Sequence, residues 1–356
     1  METNMDQSYR KTHSPQKKMV LLVLFLLLLG AVLTLLDRDR IAAILSKADW
    51  RVLPGAIFFI ACANALLGYA YAILARLMGI RMERLKLAEI CFVSTMVNRV
   101  IRSAGAAGFS LRYLMMKPYG IGLNDVLNSS IIHFLLSSMV FLGLIPLGIL
   151  YTVVFLTLPE GLTSSLVILA AAGAIMSVTA GCVVFSSRLR ENAARLAAWL
   201  GRKIVRRDIS GRVAEYARVA ARAALVLKKS PSGFAAVILL VLAEVATNVF
   251  SLGYCLRAFG PGLNFGGAGV IYGIGTLASV FSVLPGGMVL QEGAMTGLSV
   301  AQGISFEQSV LAAMLFRVVQ TVLPYFASFV FYPHLLKAAG TKGERPEGGT
   351  AAARKI

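Results

Sequence analysis

Two ionisable side chains stand in otherwise apolar stretches near the C-terminal end of the chain. Glu292 lies in the glycine-rich stretch of residues 285–293, and Arg317 ends the apolar stretch of residues 311–317. If these stretches lie within a membrane, each charge costs at least about 2.5–3.5 kcal/mol, which makes both residues candidates for function. The planar guanidinium of Arg317 can contact phosphate oxygens through two parallel hydrogen bonds, with Glu292 orienting it or binding a positive group. A Glu292–Arg317 ion pair that satisfies only itself is the alternative.

The composition indicates that such stretches do lie in a membrane. Of the 356 residues, 57% are hydrophobic and 15% are charged, and the mean hydropathy is +0.75. Soluble globular domains contain about 45–50% apolar and about 25% charged residues, so the chain falls outside that class. Several runs reach the ~20 apolar residues that a membrane-spanning helix needs. We therefore expect an all-α polytopic membrane protein with little room for a soluble catalytic domain.

The other reactive residue types do not form a recognisable catalytic or metal site. The four cysteines and three histidines are scattered, without metal-ligand spacing or a CxxC motif. No nucleotide-binding loop accompanies the carboxylates, and no basic helix with interleaved aromatic residues indicates nucleic-acid binding. We expect no catalytic residue, no metal, no cofactor and no nucleic-acid partner, and we predict that the protein is not an enzyme.

Six apolar runs predict full membrane spans, at residues 19–36, 52–78, 126–158, 163–185, 233–256 and 310–336. The first run resembles a signal peptide but lacks a small-residue cleavage site, so we interpret it as a retained anchor helix. Two further stretches, residues 85–116 and 266–300, are interrupted by glycine, proline or charge. Each is predicted to be a re-entrant hairpin or a pair of short crossings, within a single transmembrane domain of residues 19–336.

The distribution of Lys and Arg predicts the orientation. With both termini in the cytoplasm, 27 basic residues lie in cytoplasmic segments and 5 in external ones, as the positive-inside rule requires. We expect a multi-pass protein of the cell (inner or plasma) membrane, with cytoplasmic tails at residues 1–18 and 337–356. In the basic cytoplasmic connector, residues 187–230, apolar residues at helical spacing predict an amphipathic helix lying on anionic lipid. An ordinary basic loop is the alternative.

A shift of 183 residues brings the two interrupted stretches into register. Gly120 and Ile121 then coincide with Gly303 and Ile304, and the flanking runs superpose. Because the topology starts one copy inside and the other outside, the pattern predicts an inverted repeat with halves at about residues 52–158 and 233–336. Broken helices at matching positions are typical of transporters, where free backbone groups face a polar cavity or ligand. Close helix packing at glycine is the alternative explanation.

Polar residues at these positions define a predicted binding site for a polar headgroup. Glu244 lies one turn from Asn248, so the two share a helix face, where helix–helix hydrogen bonding explains them as well as a binding role does. Arg112 can equally be a residue whose charged end reaches the membrane interface. The predicted headgroup-binding residues are Arg317, Glu292, Gly286, Gly287, Gln291, Arg99, Arg102, Arg112, Asn98 and Glu244.

Two segments resemble a known family. Residues 282–293, Ser-Val-Leu-Pro-Gly-Gly-Met-Val-Leu-Gln-Glu-Gly, and residues 303–317, which end in Met-Leu-Phe-Arg, resemble the C-terminal signature of the lysylphosphatidylglycerol synthase transmembrane-region family of flippase-like proteins. That signature is a Leu-Pro-Gly-Gly turn, a Glu shortly after, a Gly before a short polar helix start, and an Arg in the last long span. The resemblance covers most of residues 52–336 and is weaker in the first half, where residues 101–108 lack the family's Pro and Glu.

The resemblance implies an integral membrane protein that moves or handles polar lipids, either anionic or aminoacylated phospholipids or isoprenoid-linked lipids and glycolipids. The family's aminoacyl-lipid synthases carry a soluble transferase domain after the membrane part, which we do not expect here because only 20 residues follow the last span. Membrane lipids are the expected partners, together with a lipid-synthesis enzyme in one alternative, an accessory subunit of a lipid-synthesis system such as hopanoid synthesis. The other alternative is a membrane-embedded lipid transferase with Glu292 or Glu244 as its base.

Overall fold

The computed structural model describes residues 38–100, 106–155, 160–200, 203, 210–260, 262–280, 287 and 289–343. Within these ranges the chain is helical and has no β-strand, which confirms the all-α class. Five helices are long and apolar enough to cross a membrane, and they coincide with five of the six predicted spans. The sixth, the anchor helix predicted at residues 19–36, lies outside the described residues.

The described part of the first half contains five helices. The carboxylate of Asp49 caps a 3-10 turn by accepting from the N–H of Arg51 at 3.1 Å. Pro54 follows in the first turn of the next helix, where the missing N–H of proline breaks no intrahelical hydrogen bond. The helices are α1 (Arg38–Ser46), α2 (Leu53–Leu77), α3 (Arg84–Val100), α4 (Ala106–Met116) and α5 (Leu123–Phe155).

Three helices connect the halves: α6 (Glu160–Phe185), α7 (Ser187–Leu200) and α8 (Ser210–Lys229). The basic connector therefore differs from the single surface helix predicted for it, because α7 and α8 are separate helices that pack against each other. The apolar side chains of Leu196 and Trp199 remain exposed on α7, and the Lys203 ammonium lies 4.8 Å from the centre of the Trp199 ring. This combination of exposed apolar and basic residues is the one expected of a membrane-surface helix.

The second half repeats the pattern of the first. Ser305 caps its fourth helix by accepting from the N–H of Gln308 at 3.4 Å. The helices are α9 (Pro231–Phe259), α10 (Phe265–Val280), α11 (Leu290–Ala301) and α12 (Phe306–Arg317), followed by a π-helix (Val318–Val322) and α13 (Leu323–Gly343).

Helices α2 and α9 form the main pair of the core and run antiparallel. Near one end of the pair, Ser251 donates its hydroxyl to the carbonyl of Ala56 at 2.9 Å, and near the other end Gly233 lies against Leu77. Small residues such as these let two backbones approach, which is how helices associate in lipid. The apolar cluster around the pair includes Ile60, Val249, Leu252, Ile271 and Phe316.

The order of the elements repeats with the predicted spacing of 183 residues. α5 begins at Leu123 and α12 at Phe306, and the turn glycines before them, Gly120 and Gly303, have φ angles of 75° and 89°. The leading helices α2 and α9 run in opposite directions, and α3 packs against α13 as α10 packs against α5. These relations are those expected of an inverted repeat, whose full superposition stays a prediction.

Both interrupted stretches form helical hairpins. The N–H of Gly108 in α4 donates to Oδ1 of Asn98 in α3 at 2.8 Å, and the Gln302 amide after α11 donates to the carbonyl of Gly267 in α10 at 3.4 Å. The longest of the four arms, α3, has 17 residues. At 1.5 Å per residue it extends about 25 Å, less than the ~30 Å of bilayer hydrocarbon. Arms of this length favour re-entrant hairpins over pairs of full crossings.

Candidate functional site

A π-helix, Val318–Val322, interrupts the last long span at its centre. The span runs from Phe306 to Pro333, which places residues 317–320 at its midpoint. π-helical turns are rare and are frequent at functional sites. Because the wider turn breaks the regular ladder of backbone hydrogen bonds, its carbonyls can accept from other elements. The π-helix therefore offers polar backbone groups at membrane depth.

Arg317, the last residue of α12, is paired with Glu292 of α11. Its Nε and Nη2 atoms contact Oε1 of Glu292, and Nη2 also donates to Oε1 of Gln291 at 3.0 Å. The second carboxylate oxygen of Glu292 accepts from the N–H of Val289 at 2.8 Å. The side chains of Arg317 and Glu292 are 15% and 22% exposed. The pair is therefore accessible to a ligand as well as self-satisfied.

The turn that presents Glu292 is strained. Gly287 has a φ of 77°, and Val289, with a φ of 73°, is the one non-glycine residue of positive φ in the described part of the chain. Such a conformation costs a non-glycine residue about 1–3 kcal/mol and persists only where the surroundings hold it. The hydrogen bond from Val289 to Glu292 supplies part of that hold and sets the carboxylate at the N-terminus of α11, where the helix dipole favours a negative charge. Gly286 lies outside the described residues.

Arg99, at the end of α3, reaches the same π-helix from the first half. Its Nη1 atom donates to the carbonyl of Gln320 at 2.8 Å. The side-chain amide of Gln320 donates to Oδ1 of Asn248 at 3.3 Å, and Asn248 donates to Oε1 of Glu244 at 2.7 Å. The charges of Arg99 and Glu244 attract each other across this chain of amides. The second network thus joins α3, α9 and the π-helix.

Both networks lie near the midpoints of helices that are long and apolar enough to cross a membrane. Glu244 is one residue from the middle of α9, and Gln320 is at the middle of the last span. The described ends of both hairpins contact residues near these midpoints, α3 through Arg99 and α11 through Glu292. One arm of each hairpin thus contacts the last span near its π-helix, whereas the approach of the two hairpins from opposite faces of the membrane stays a prediction. We name as the hairpin junction the residues Arg99, Glu244, Asn248, Gln291, Glu292, Arg317 and Gln320.

Asn98 is not part of the hairpin junction. Asn98 uses its carbonyl oxygen inside the first hairpin, where it accepts from Gly108. A Cβ atom on Gly108 would collide with the Asn98 amide, so the glycine is required for this close contact. Arg102 lies outside the described residues. Asn98 therefore has a structural role in closing the hairpin.

Arg112 lies in a separate buried cluster of the first half. Its Nε and Nη2 atoms donate to the hydroxyl of Ser94 at 3.1 and 2.9 Å, and Nη1 donates to that of Ser130 at 2.8 Å. The guanidinium carbon lies 4.2 Å from the centre of the Tyr71 ring. Arg112 is 4% exposed, so its charge does not reach the interface, and no acidic side chain of the described residues pairs with it. We name Tyr71, Ser94, Arg112 and Ser130 the Arg112 cluster.

Gln320 is a junction residue that the sequence interpretation missed. It follows Arg317 by three residues, so helical spacing brings the two to adjacent positions on the last span. An amide at the centre of an apolar run was the available signal. The contact from Arg99 to the backbone of Gln320 had no signal, because any residue carries a carbonyl.

The hairpin junction contains two arginines and two carboxylates. An arginine fork can bind a phosphate group, and a carboxylate can bind an amine, so the junction suits a headgroup that carries both. Among the described residues, no group of three or more His, Cys, Asp and Glu side chains is placed to hold a metal ion. The four charged side chains of the junction can recognise charged groups.

Comparisons with known proteins identify the family of the chain but not its ligand. A search among curated proteins gives no match to the chain. The family described as "Lysylphosphatidylglycerol synthase TM region" matches residues 19–328, which include the whole hairpin junction and the Arg112 cluster. Since the match covers most of the chain and the fold is a bundle of apolar helices, the protein belongs to the lysylphosphatidylglycerol synthase transmembrane-region family.

Proposed function

We propose that the protein is a flippase-like transporter of polar lipids that binds the lipid headgroup at the hairpin junction. The observation that carries this proposal is the meeting of two hairpins and a π-helix at membrane depth, around the partly exposed Arg317–Glu292 pair. In lipid, broken helices and ionisable side chains persist where they line a polar path or bind a polar group. Membership of the family supports a role in lipid biology.

When a headgroup binds, its phosphate replaces Glu292 as the partner of Arg317. A lipid phosphate occupies the guanidinium fork of Arg317, and an amine on the same headgroup occupies the carboxylate of Glu292 that this exchange releases. Aminoacylated phospholipids, which carry both groups, therefore suit the junction best. Anionic phospholipids without an amine, and isoprenoid-linked lipids and glycolipids with a phosphate, can use the arginine half of the site alone.

Reconstitution in vesicles tests the proposal. Protein-containing vesicles with fluorescent phosphatidylglycerol or its lysyl ester are treated with an impermeant reductant, which bleaches only the lipid in the outer leaflet. We expect protein-dependent movement between leaflets, its loss in Arg317→Gln, and partial activity in Arg317→Lys, because an ammonium cannot make the forked contact. Arg218→Gln, at an exposed arginine of α8, is the matched control. A folded wild-type protein that moves none of these lipids would contradict the proposal.

We further propose that the protein lies in the cell membrane, with both termini and the basic connector on the cytoplasmic side. The excess of basic residues in those segments supports this orientation. A single cysteine at position 187, in a variant without the four native cysteines, is expected to resist an impermeant maleimide in intact cells and to react after the cytoplasmic face is opened. Labelling of intact cells from the outside would reverse the orientation.

The basic connector favours a second candidate function, an accessory subunit that docks a lipid-synthesis enzyme. Residues 188–229 carry 12 basic and 3 acidic side chains, and Leu196 and Trp199 are 58% and 48% exposed beside them. Such a surface can bind a partner as well as anionic lipid. Co-purification of a synthase that is lost when the exposed Leu196 and Trp199 are replaced by serine, without any lipid movement in vesicles, would favour this candidate over the transporter.

A further inference from the structure

A cavity of about 390 Å³ opens between the end of α9 and the beginning of α10. Phe250, Tyr254 and Arg257 line it from α9, and Phe265 lines it from α10. Arg257 is 13 residues beyond Glu244 on the same helix, which corresponds to about 20 Å along the axis. The cavity is therefore distinct from the hairpin junction.

The position of Arg257 along α9 corresponds to the level of lipid phosphates. It lies 12 residues from the helix midpoint, or about 18 Å, whereas the hydrocarbon of a bilayer ends about 15 Å from its centre. Trp50 packs at this same end, with its ring centre 5.8 Å from that of Phe259. Tryptophan is enriched at the membrane interface, which supports this depth.

The lining of the cavity has a charged end and an apolar end, as a phospholipid does. Arg257 is exposed, and none of the described carboxylates pairs with it. Below it toward the bilayer centre, Phe250 and Phe265 are 44% and 51% exposed, with ring centres 4.9 Å apart. A guanidinium binds phosphate oxygens, and the two rings offer an apolar wall for an acyl chain.

Gly253 keeps the cavity open. A Cβ atom at this position would meet no other atom within 4 Å, so the glycine is not required for helix packing. Glycine inside a helix costs about 1 kcal/mol relative to alanine, and here the absence of a side chain leaves room beside Tyr254 and Arg257. A larger residue at this position would extend into the cavity.

We propose that this cavity binds one anionic phospholipid, with its phosphate on Arg257 and an acyl chain against Phe250 and Phe265. Occupancy does not require translocation, so the inference is independent of the proposed function. The lipid lies in the leaflet at the α9–α10 end of the protein, which the predicted orientation makes the outer leaflet.

Fluorescence of a tryptophan placed in the cavity wall reports on this site. The chain has two tryptophans, and Trp50→Phe and Trp199→Phe remove both, so that Phe265→Trp, which keeps an aromatic ring in the lining, is the sole reporter. The protein is placed in phosphatidylcholine nanodiscs, and brominated phosphatidylglycerol, which quenches nearby tryptophan, is titrated as a minor component. Brominated phosphatidylcholine at the same fractions measures quenching by the bulk bilayer. We expect saturable quenching by phosphatidylglycerol in excess of that control.

Two variants and two matched controls decide the outcome. Arg257→Gln should weaken the apparent affinity about tenfold, the change expected from loss of one charge-assisted contact. Gly253→Leu should abolish the excess quenching while keeping the helix content, since leucine is the better helix former. Gly161→Leu, at an exposed glycine of α6 whose Cβ is equally unobstructed, and Arg51→Gln, at an exposed arginine outside the cavity lining, should change nothing. Excess quenching that is absent in the parent protein, or that survives in both Arg257→Gln and Gly253→Leu, overturns the proposal.

Discussion

The Arg112 cluster and the hairpin junction each hold an arginine away from water, but they satisfy it in opposite ways. Arg112 is 4% exposed and is held by two serine hydroxyls and the face of Tyr71. Arg317 is held by the carboxylate of Glu292, with 15% of its side chain exposed. Arg112 is thus enclosed by uncharged groups, whereas Arg317 is accessible and paired with an opposite charge.

This difference separates an arginine that positions helices from one that can bind a ligand. Arg112 donates to serines on α3 and α5, which it links to α4, and it is buried. Arg317 can exchange a carboxylate for a phosphate of equal charge, and an amine on the same headgroup can pair with the released Glu292, which keeps the exchange near energetic balance. A buried arginine in a membrane protein is therefore not by itself a binding residue; access and the charge of its partner decide.

The largest expected effect is on stability, when the same conservative change is made at both arginines. Arg112→Lys should lower the free energy of unfolding by about 3 kcal/mol or more, because one ammonium cannot reach Ser94 and Ser130 together and each charge-assisted hydrogen bond contributes about 1.5–3 kcal/mol. Arg317→Lys keeps its contact with Glu292 and should cost about 1 kcal/mol or less. Denaturant unfolding in detergent measures both, and equal losses would erase the distinction between the two regions.

The strength of the Arg317–Glu292 pair is the next largest effect. A double-mutant cycle with Arg317→Gln and Glu292→Gln should give a coupling free energy of about 2 kcal/mol or less, because breaking a fully buried pair costs about 3–5 kcal/mol and this one is partly exposed. The same variants are assayed for lipid movement. A stronger coupling, with a double variant that regains both stability and transport, would assign the pair a purely structural role.

Backbone strain should distinguish the turns of the two halves. Val289→Gly should raise the free energy of unfolding by about 1 kcal/mol, because relief of strain exceeds the entropy that glycine adds to the unfolded chain. Gly120 has a φ of 75°, which is unstrained for glycine. Gly120→Ala should therefore have the opposite effect and lower the free energy of unfolding by about 1 kcal/mol. Unfolding curves of the two variants check the signs, and two losses would mean that Val289 is not strained.

The smallest effect is expected at Gln320. Its side chain makes a hydrogen bond of 3.3 Å to Asn248, while its contact with Arg99 uses the backbone carbonyl, which no side-chain change removes. Gln320→Met should therefore change the free energy of unfolding by about 0.5–1 kcal/mol. A loss as large as that of Arg112→Lys, measured in the same way, would show that the amide rather than the backbone holds the junction together.

Much of the architecture follows from the sequence. The run at residues 52–78 becomes α2, and that at residues 233–256 becomes α9, because long apolar runs in lipid must satisfy their backbones as helices. The 183-residue register, which aligns Gly120 with Gly303, agrees with the helix starts at Leu123 and Phe306. The ionisable residues Glu292 and Arg317, expensive in lipid, are in contact, which agrees with both sequence interpretations of the pair.

Other features depend on contacts that no local pattern encodes. The π-helix at Val318–Val322 lies in a run that reads as a regular helix, and it provides the carbonyl that accepts from Arg99. Arg112 and Arg99 have similar sequence surroundings, yet one is enclosed by serines of two other helices and the other reaches the junction. The division of the connector into α7 and α8 also depends on packing, since both segments have the same basic and apolar composition.

The antiparallel contact of α2 with α9 has a consequence for how the protein is made. The hydrogen bond from Ser251 to Ala56 joins residues 195 positions apart in the chain. At about 5–20 residues per second, a ribosome needs roughly 10–40 s to synthesise that interval, during which α2 is already in the membrane without its partner. Its small-residue face is then open to other helices. We therefore expect the newly inserted first half to require protection by the insertion machinery, and early translational pausing after α2 to be more harmful than pausing after α9.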